Sequence, residues 1–191
     1  MILARLRHET RPHHDSVEAR LALFDRPVTP DGYRDLLRRF WGFYEPVEGR
    51  ITGLADWPEL GFDLDRRRKA PLLERDLAAL GVGREVFAGF RCAALPALTD
   101  VPSALGCLYV LEGATLGGQV ITRHLRGQPG GPYPTAFFGS YGEEVGPMWK
   151  AFGEFLTDYA ATRGGEDVIV KSARDTFDAL GAWLAAGEGR P

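Results

Sequence analysis

Apolar side chains recur at the spacing of one helix face along most of the chain, and strand-like alternation bounded by hairpin turns is nearly absent. A clear example follows Thr29 and Pro30, where apolar residues fall three and four positions apart as far as Val47. Thr29 is typical of a helix N-cap, and Pro30 of the first helical position. The sequence therefore predicts an all-α bundle of about seven to eight helices.

Length and charge place the chain among ordinary globular proteins. Its 191 residues, 45% of them hydrophobic, are enough for one compact domain over residues 1–191. The net charge of −3 gives no sign of a nucleic-acid or anionic-membrane partner. The opening MILARLRHE lacks the apolar core of a signal peptide, and apolar stretches such as ALGCLYVL are too short to span a bilayer. We therefore expect a cytoplasmic protein, with a monomer as the simplest assembly.

Capping residues, glycines and prolines predict where the helices end. Ser103 is expected to cap a long helix that ends at Gly127, and Gly81 to stop a shorter helix that begins near Leu72. The Gly- and Pro-rich residues 127–140 are expected to form an irregular loop. A further helix is expected around three apolar residues, Val86, Phe87 and Phe90. The two cysteines have no zinc-binding spacing and are expected to be buried thiols, Cys92 and Cys107.

The N-terminal segment LRHETRPHHDSVEARL holds three of the four histidines. A neutral imidazole at His14 can bind a metal, and Glu18, one turn on, can accept the proton of the other ring nitrogen. The arginines one and two turns earlier suit a flat ligand whose anionic groups reach them. On a helix, one face carries Arg7, Thr10, Arg11, His14, Glu18 and Leu21.

Other interpretations of this segment remain open at this point. A histidine near a glutamate on a helix surface is commonly a solvated pair without a ligand. A zinc site made of histidines is disfavoured, because His8 and His13 point away from His14 and no second cluster supplies ligands. Pro12 either opens a second helical segment or bends one helix.

The apolar segment YVLEGATLGGQVITRHL, residues 109–125, contains three glycines in mid-helix. Each costs about 1 kcal/mol of helix stability relative to alanine. Gly113, Gly117 and Gly118 repeat about one turn apart and clear one stripe of the helix. Either another backbone packs closely on this stripe, or a flat ligand lies on it.

Together the two segments resemble the heme oxygenase family. One motif is T-x-x-x-H-x-x-x-E at residues 10–18, and the other is G-x-x-x-G-G-Q at residues 113–119. YVLEGATLGGQVI is similar to the bacterial members that occur with bacteriophytochromes. The resemblance extends over nearly the whole chain through PVTPDGYRDLL, RRKAPLLERDLAALG, TAFFGSYG and ARDTFDALGAWL.

The resemblance implies a haem held between a proximal helix and a kinked distal helix. His14 would be the proximal iron ligand, with Glu18 as its hydrogen-bond partner. The distal main chain over the haem would be that of Gly113 and Gly117, with Gly118 beside them. The remaining implied contacts are propionate ligands at Arg7 and Arg11, a weaker one at Lys150, and an aromatic pocket wall at Phe177.

One position departs from the family pattern. Many members carry an aspartate after the first distal glycine, where it holds an ordered water, and here that residue is Ala114. A methyl group cannot polarise water, so another group has to hold it if the enzyme is active. The nearest polar side chains in the sequence are Thr115, which we take as a catalytic candidate, Glu112 and Arg123. Main-chain carbonyls freed at a glycine kink are an equal alternative.

The implied activity is oxidative opening of haem to biliverdin, carbon monoxide and ferrous iron. Haem would be both substrate and cofactor, O₂ the oxidant, and a ferredoxin or reductase the external electron donor. The product would supply a bacteriophytochrome, or the reaction would release iron. The alternatives are a non-catalytic haem store, carrier or sensor on the same fold, a relative that binds another small molecule, and a helical interaction module without a ligand.

The basic run RRRK at residues 66–69 is usually a solvated surface. Since an acidic electron donor has to dock on a heme oxygenase, this run and the pair Arg38 and Arg39 are candidate docking residues.

Overall fold

The protein is all-helical over the residues that its computed structural model describes, which are 1–21, 24 and 27–186. No β-strand occurs among them, and the predicted fold class is confirmed. Two 3₁₀ turns, Asp65–Arg67 and Gly142–Glu144, complete the regular structure of this part. Its α-helices are α1 (Ile2–Leu21), α2 (Pro30–Thr52), α3 (Ala70–Ala79), α4 (Arg84–Phe87), α5 (Val101–Arg126), α6 (Ala136–Gly139), α7 (Val145–Arg163) and α8 (Glu166–Ala185).

The ends of α2 and α3 lie as predicted. Thr29 is the N-cap of α2, and its hydroxyl accepts a hydrogen bond from the Gly32 amide at 3.1 Å. Pro30 is the first residue of the helix. Gly81, just beyond α3, has a φ of +75°, a conformation that favours glycine and stops the helix.

The start of α5 differs from the prediction that Ser103 caps it. Asp100 is the N-cap, because its carboxylate accepts a hydrogen bond from the Ser103 amide at 2.9 Å. The Ser103 hydroxyl in turn accepts one from the Asp100 amide at 3.1 Å. Ser103 is therefore the third residue of a capping box, one turn inside the helix. At the other end Gly127 is the C-cap, as predicted.

Pro12 lies inside α1, which continues as one helix to Leu21. The alternative in which Pro12 opens a second helical segment is therefore wrong. The proline has no amide hydrogen for the carbonyl of His8, one turn earlier. Both residues are exposed, so water can take the place of the missing donor.

Two shorter segments also differ from their predictions. The helix expected around Val86, Phe87 and Phe90 is the single turn α4, which two glycines flank, Gly83 and Gly89. Phe90 therefore lies beyond the end of the helix. The expected loop over residues 127–140 is irregular except at its end, where α6 makes one helical turn.

α5 is the central helix of the core. It packs along α8 and also contacts α6 and α7. α1 packs along α8 as well, touches α7, and makes few direct contacts with α5. Cys92 and Cys107 are buried free thiols, as predicted. Two long helices thus share α8 as a common neighbour without packing closely on each other.

By length and composition alone α5 is apolar enough to cross a membrane. The expectation that every apolar stretch is too short is wrong for this helix, because it continues through the glycines for 26 residues. More than half of its most apolar window is buried inside the protein, as in the core helix of a soluble domain. Packing within the bundle accounts for its apolar character.

α1 runs parallel to α8. Arg174 of α8 lies 3.4 Å from Glu9 of α1, measured between side-chain nitrogen and oxygen. One turn later, His13 Nδ1 lies 2.6 Å from an oxygen of Asp178. Residue numbers therefore increase together along the two helices.

α5 is also parallel to α8. Near its start, the Ser172 hydroxyl of α8 donates a hydrogen bond to the Ser103 carbonyl at 2.6 Å. One turn later Cys107 of α5 lies beside Thr176 of α8. Because α1 and α5 both run parallel to α8, they are parallel to each other, and α8 relates their positions along the bundle.

Close packing between α5 and α8 depends on Gly106. A methyl group at this position would overlap the carbonyl oxygen of Ile169 and crowd Ser172. We predict that Gly106→Ala lowers the free energy of unfolding by about 1–3 kcal/mol, as overpacking does. Gly49→Ala in α2 is the matched control, since a methyl group there meets nothing within 4 Å. That control should gain up to about 1 kcal/mol from helix propensity. Urea denaturation measures both, and equal stabilities would contradict the close approach.

Candidate functional site

α1 and α5 meet where Thr10 lies beside Tyr109. Burial raises the pKa of the Tyr109 hydroxyl, and two α1 residues near it, Thr10 and Arg7, act in the opposite direction. Beyond this contact both helices continue in the same direction along α8. One turn further, His14 lies on α1 and Gly113 on α5. The predicted metal ligand and the first predicted glycine therefore occupy the same level of the bundle.

The two chain segments meet again further along. The ring of Phe24, just after α1, packs edge-on against His124 of α5 with centroids 4.8 Å apart. Between Tyr109 and His124, α5 rises about 22 Å, at 1.5 Å per residue. We call the space between these two contacts the α1–α5 cleft, with α8 beneath it. It is long enough for a flat ligand to lie between the helices.

His14 presents its imidazole at this cleft. Its side chain is 52% exposed, and its ring lies edge-on to Phe177 of α8 with centroids 5.7 Å apart. Nδ1 lies 3.7 Å from a Glu18 carboxylate oxygen and 3.6 Å from one of Asp15. These separations exceed a hydrogen bond, so the two carboxylates flank Nδ1 without bonding to it. Both acidic neighbours lie on the Nδ1 side of this exposed ring, and Nε2 is available to bind a metal.

The glycine segment of α5 forms the opposite wall. Gly117 is exposed, and a methyl group built there would meet nothing within 4 Å. At Gly113 the position of a side chain lies 3.8 Å from the indole ring of Trp149. Two apolar side chains beside Gly117, Leu116 and Val120, are 42% and 52% exposed. This wall is apolar and has bare main chain at its middle.

Gly118 faces away from this wall. It is buried, and a methyl group there would overlap the carbonyl oxygen of Phe138 in α6. Gln119 crosses the same junction with a hydrogen bond to the Gly139 carbonyl at 3.2 Å. The third glycine thus allows α6 to approach α5. The expectation that it lines a ligand surface gives way to a packing explanation.

The polar side chains considered for holding a water are not on the glycine wall. Thr115 is buried, and its hydroxyl donates to the Glu112 carbonyl at 2.6 Å. The Glu112 carboxylate is buried against Arg67 and Lys69. Arg123 is exposed more than two turns beyond Gly113. A catalytic role for Thr115 therefore finds no support in its geometry.

Two predicted cations lie along α1 ahead of His14. Arg7 and Arg11 are both exposed, and Arg11 Nε lies 3.9 Å from an Asp15 oxygen. Arg7 is close enough to Tyr109 to oppose the rise that burial causes in the pKa of that hydroxyl. Two exposed guanidinium groups therefore lie toward the end of the cleft where Tyr109 lies, and they can receive an anionic group from a ligand.

Lys150 lies on α7, in a shallow groove between that helix and α1. The groove has a volume of about 520 Å³, and its walls include Leu3 and Trp149. Lys150 Nζ is 3.7 Å from a Glu154 oxygen. Since Trp149 also covers Gly113, Lys150 lies on the same side of the bundle as the glycine wall. Among the described residues, no contact joins it to the α1 arginines.

The basic run at residues 66–69 is not simply a solvated surface. Arg67 and Lys69 are only 8% and 2% exposed, and both pair with Glu112. The other two arginines of the run are exposed. The expected docking surface is therefore wrong for the two buried cations, because their partner lies on a distant part of the chain.

The second candidate docking pair is also engaged in the fold. Arg38 and Arg39 both stack over the Phe90 ring, at 5.1 and 5.8 Å from its centroid. Arg39 Nε also donates to Asp35 at 2.8 Å. Much of the charge of this pair is thus compensated locally, which weakens it as a docking surface.

Two aromatic residues of the site have no predicted role there. Neither Trp149, which is half-buried, nor Tyr109 is among the site residues predicted from the sequence. A signal for Tyr109 exists, since it precedes Gly113 by one turn as Thr10 precedes His14. No comparable signal identifies Trp149, whose position depends on how α7 packs.

The residues of the cleft fit a flat ligand that carries its own metal. His14, Asp15 and Glu18 bring ligand atoms within 4.8 Å of one another, but all three are exposed on one helix. A free metal ion bound by these three side chains would take most of its remaining ligands from water. The facing wall, with Leu116 and Val120 exposed, instead suits an apolar macrocycle. A porphyrin with one axial imidazole and anionic substituents near the arginines meets these conditions.

Comparison with known proteins identifies relatives of this chain. The model of the heme oxygenase family matches residues 1–186. A protein named heme oxygenase from Xanthomonas campestris pv. campestris (strain 8004) is 30% identical over 173 residues. The match covers 89% of this chain and 98% of that relative.

Adjacent glycines on the two sides of α5 should respond oppositely to alanine. We predict that Gly118→Ala lowers the free energy of unfolding by about 1–3 kcal/mol through its clash with α6. Gly117→Ala should raise it by up to about 1 kcal/mol, the gain in helix propensity. Denaturation of the ligand-free variants in guanidinium chloride measures both. A comparable loss in Gly117→Ala would show that the wall is packed rather than open.

Proposed function

The chain belongs to the heme oxygenase family and is an enzyme of that kind, and on this basis we propose how its haem substrate lies in the α1–α5 cleft. In the proposed arrangement, His14 Nε2 binds the iron. The bare main chain at Gly113 and Gly117 covers the opposite face of the macrocycle. Phe177 forms a wall beside the imidazole.

The alignment of His14 with the glycine wall is the observation that supports this proposal most. The two helices touch at Thr10 and Tyr109, and one turn beyond this contact they present His14 and Gly113 at the same level. In the proposed arrangement, a ligand bound to the imidazole would meet the glycine segment across the cleft.

We place the haem propionates at the end of the cleft where Tyr109 lies. Arg7 and Arg11 are exposed there and can pair with carboxylates. Lys150 is a weaker third candidate, because its described ion pair is with Glu154. Exposed ion pairs of this kind are each worth about 0.2–1 kcal/mol, so they orient the haem more than they hold it.

Bound haem supplies the redox-active iron and is itself opened to biliverdin, carbon monoxide and ferrous iron, with O₂ and external electrons. The contribution of the protein is position and environment. His14 would provide an imidazole ligand, and the glycine wall would bring main chain close without a side chain that could be oxidised. Since Thr115 and Glu112 are engaged elsewhere, we propose that main-chain groups of the wall hold the water that Ala114 cannot.

The cellular setting of the reaction is also a proposal. We propose a single-domain, monomeric cytoplasmic enzyme that takes electrons from a ferredoxin or a reductase. Similarity to members that occur with bacteriophytochromes favours biliverdin supply to such a photoreceptor over iron release.

Hemin titration and turnover test the proposed function. The purified protein should bind hemin with a histidine-ligated absorbance spectrum, and His14→Ala should lose that spectrum because the axial ligand is gone. His8→Ala is the control, since His8 is exposed on another face of the same helix. With a reductant and O₂, biliverdin absorbance should appear in the parent protein. Haem that binds but survives turnover, or full ligation in His14→Ala, would contradict the proposal.

Esterified haem tests the placement of the propionates. The double variant Arg7→Gln/Arg11→Gln should bind hemin several-fold more weakly, in line with about 0.2–1 kcal/mol per exposed ion pair. Its affinity for hemin dimethyl ester, which lacks the charges, should match that of the parent. Arg20→Gln/Arg50→Gln, at two other exposed arginines, is the control for net charge. If the ester loses affinity as hemin does, the arginines do not contact the propionates.

A further inference from the structure

A buried cluster of charges lies directly behind the glycine wall. The Glu112 side chain of α5 is 1% exposed and pairs with the Arg67 guanidinium and with Lys69 Nζ, the latter at 3.0 Å. The Tyr141 hydroxyl donates to the same carboxylate at 2.7 Å. None of these side chains belongs to the haem contacts proposed above.

Arg67 connects the two elements that form the wall. Besides its pair with Glu112 on α5, its guanidinium donates to the Met148 carbonyl of α7 at 3.2 Å. The next residue of each helix reaches the wall, Gly113 after Glu112 and Trp149 after Met148. The Trp149 ring lies 3.8 Å from the side-chain position of Gly113. The Arg67 guanidinium therefore holds the residues that come directly before Gly113 and Trp149, and so fixes the contact between these two.

Glu48 of α2 attaches the cluster to the core. Its carboxylate accepts hydrogen bonds from the main-chain amides of Lys69, at 2.6 Å, and Ala70, at 3.2 Å. Burial raises the pKa of Glu48, which these amides oppose, and lowers the pKa of Lys69, which Glu112 opposes. The segment that carries the two cations is thus anchored on α2 and reaches across to α5.

The wall has little rigidity of its own. Three glycines between residues 113 and 118 weaken the helix, and Gly117 has no neighbour on its open side. Apolar side chains in place of the cluster would stabilise the fold about as well, because desolvation offsets much of the attraction in a buried ion pair. Apolar contacts lack direction, however, whereas charged hydrogen bonds fix the orientation of the groups that make them.

We propose that Arg67, Lys69 and Glu112 are positioning residues of the enzyme. They hold the Gly113 main chain and the Trp149 ring in one arrangement against the haem, and so restrict oxidation to one meso carbon. They act through the two wall residues and do not touch the substrate. The selectivity part of the proposal rests on the haem position proposed above, whereas the rigidity of the wall does not.

Hydrogen exchange in the ligand-free protein tests the rigidity of the wall. Glu112→Gln keeps the size of the side chain and removes its charge. Amide exchange of residues 113–119 should accelerate about tenfold or more relative to global opening, and the indole resonance of Trp149 should shift. Ser172→Ala is the matched control, since it removes a buried hydrogen bond to the first turn of α5. Unchanged exchange in Glu112→Gln, or equal acceleration in both variants, would overturn the proposal.

Replacing the charged cluster by apolar side chains distinguishes a positioning role from a stabilising role in the haem-loaded enzyme. Arg67→Met/Lys69→Met/Glu112→Leu should stay folded, because a buried ion cluster can be replaced by apolar groups of similar volume. It should bind hemin through His14 and form biliverdin, but the share of minor meso isomers should rise about tenfold over the parent, measured by chromatography. If the triple variant does not fold, Glu112→Gln and Lys69→Met give the same readout. A haem-binding variant with the isomer pattern of the parent would overturn the proposal.

Failure of this inference is distinguishable from failure of the proposed function. A parent protein that forms no biliverdin would contradict the function, whereas the exchange measurement on ligand-free protein would still report whether the cluster holds Gly113. Biliverdin formation with an unaltered isomer pattern and unaltered exchange would leave the function intact and remove the positioning role.

Discussion

The parallel packing of α1 and α5 on α8 determines the position of every other feature of the site. Gly106 lets α5 approach the main chain of α8, and the pair His13–Asp178 fixes α1 on the same helix. Because α1 and α5 both pack on α8 at fixed positions, their residues are also in register with each other. One turn beyond the contact of Thr10 with Tyr109, this register brings an imidazole opposite a bare stretch of main chain. The chemistry of the cleft is therefore a consequence of helix packing rather than of any loop.

Glycines in α5 serve two physical purposes that the sequence spacing does not separate. Gly106 and Gly118 each meet a carbonyl oxygen of a neighbouring segment, so they allow close packing. Gly117 meets nothing, and Gly113 meets only the edge of an indole ring. The family resemblance places Gly118 on the ligand surface. Its actual neighbour is α6, which forms in a segment whose sequence shows little helical periodicity. Only the packed structure distinguishes a glycine that admits a backbone from one that admits a ligand.

Features governed by local interactions could be predicted from the sequence, and features governed by distant partners could not. The cap at Thr29 and the shared face of Arg7, Arg11 and His14 follow from helical spacing and capping preferences, and the structure contains them. The displaced start of α5 is a smaller error, since Asp100 and Ser103 both cap in one reciprocal arrangement. The burial of Lys69 had no local signal, because its partner Glu112 is 43 residues away along the chain. The same holds for Trp149, which reaches the glycine wall only through the packing of α7.

The structure of the complex with hemin is the most direct test of the account. We expect the iron to be bonded to His14 Nε2, with the main chain of Gly113 and Gly117 lying over the opposite face of the macrocycle. An iron held by another residue, or a haem seated in the groove beside Lys150 with the α1–α5 cleft closed, would contradict it.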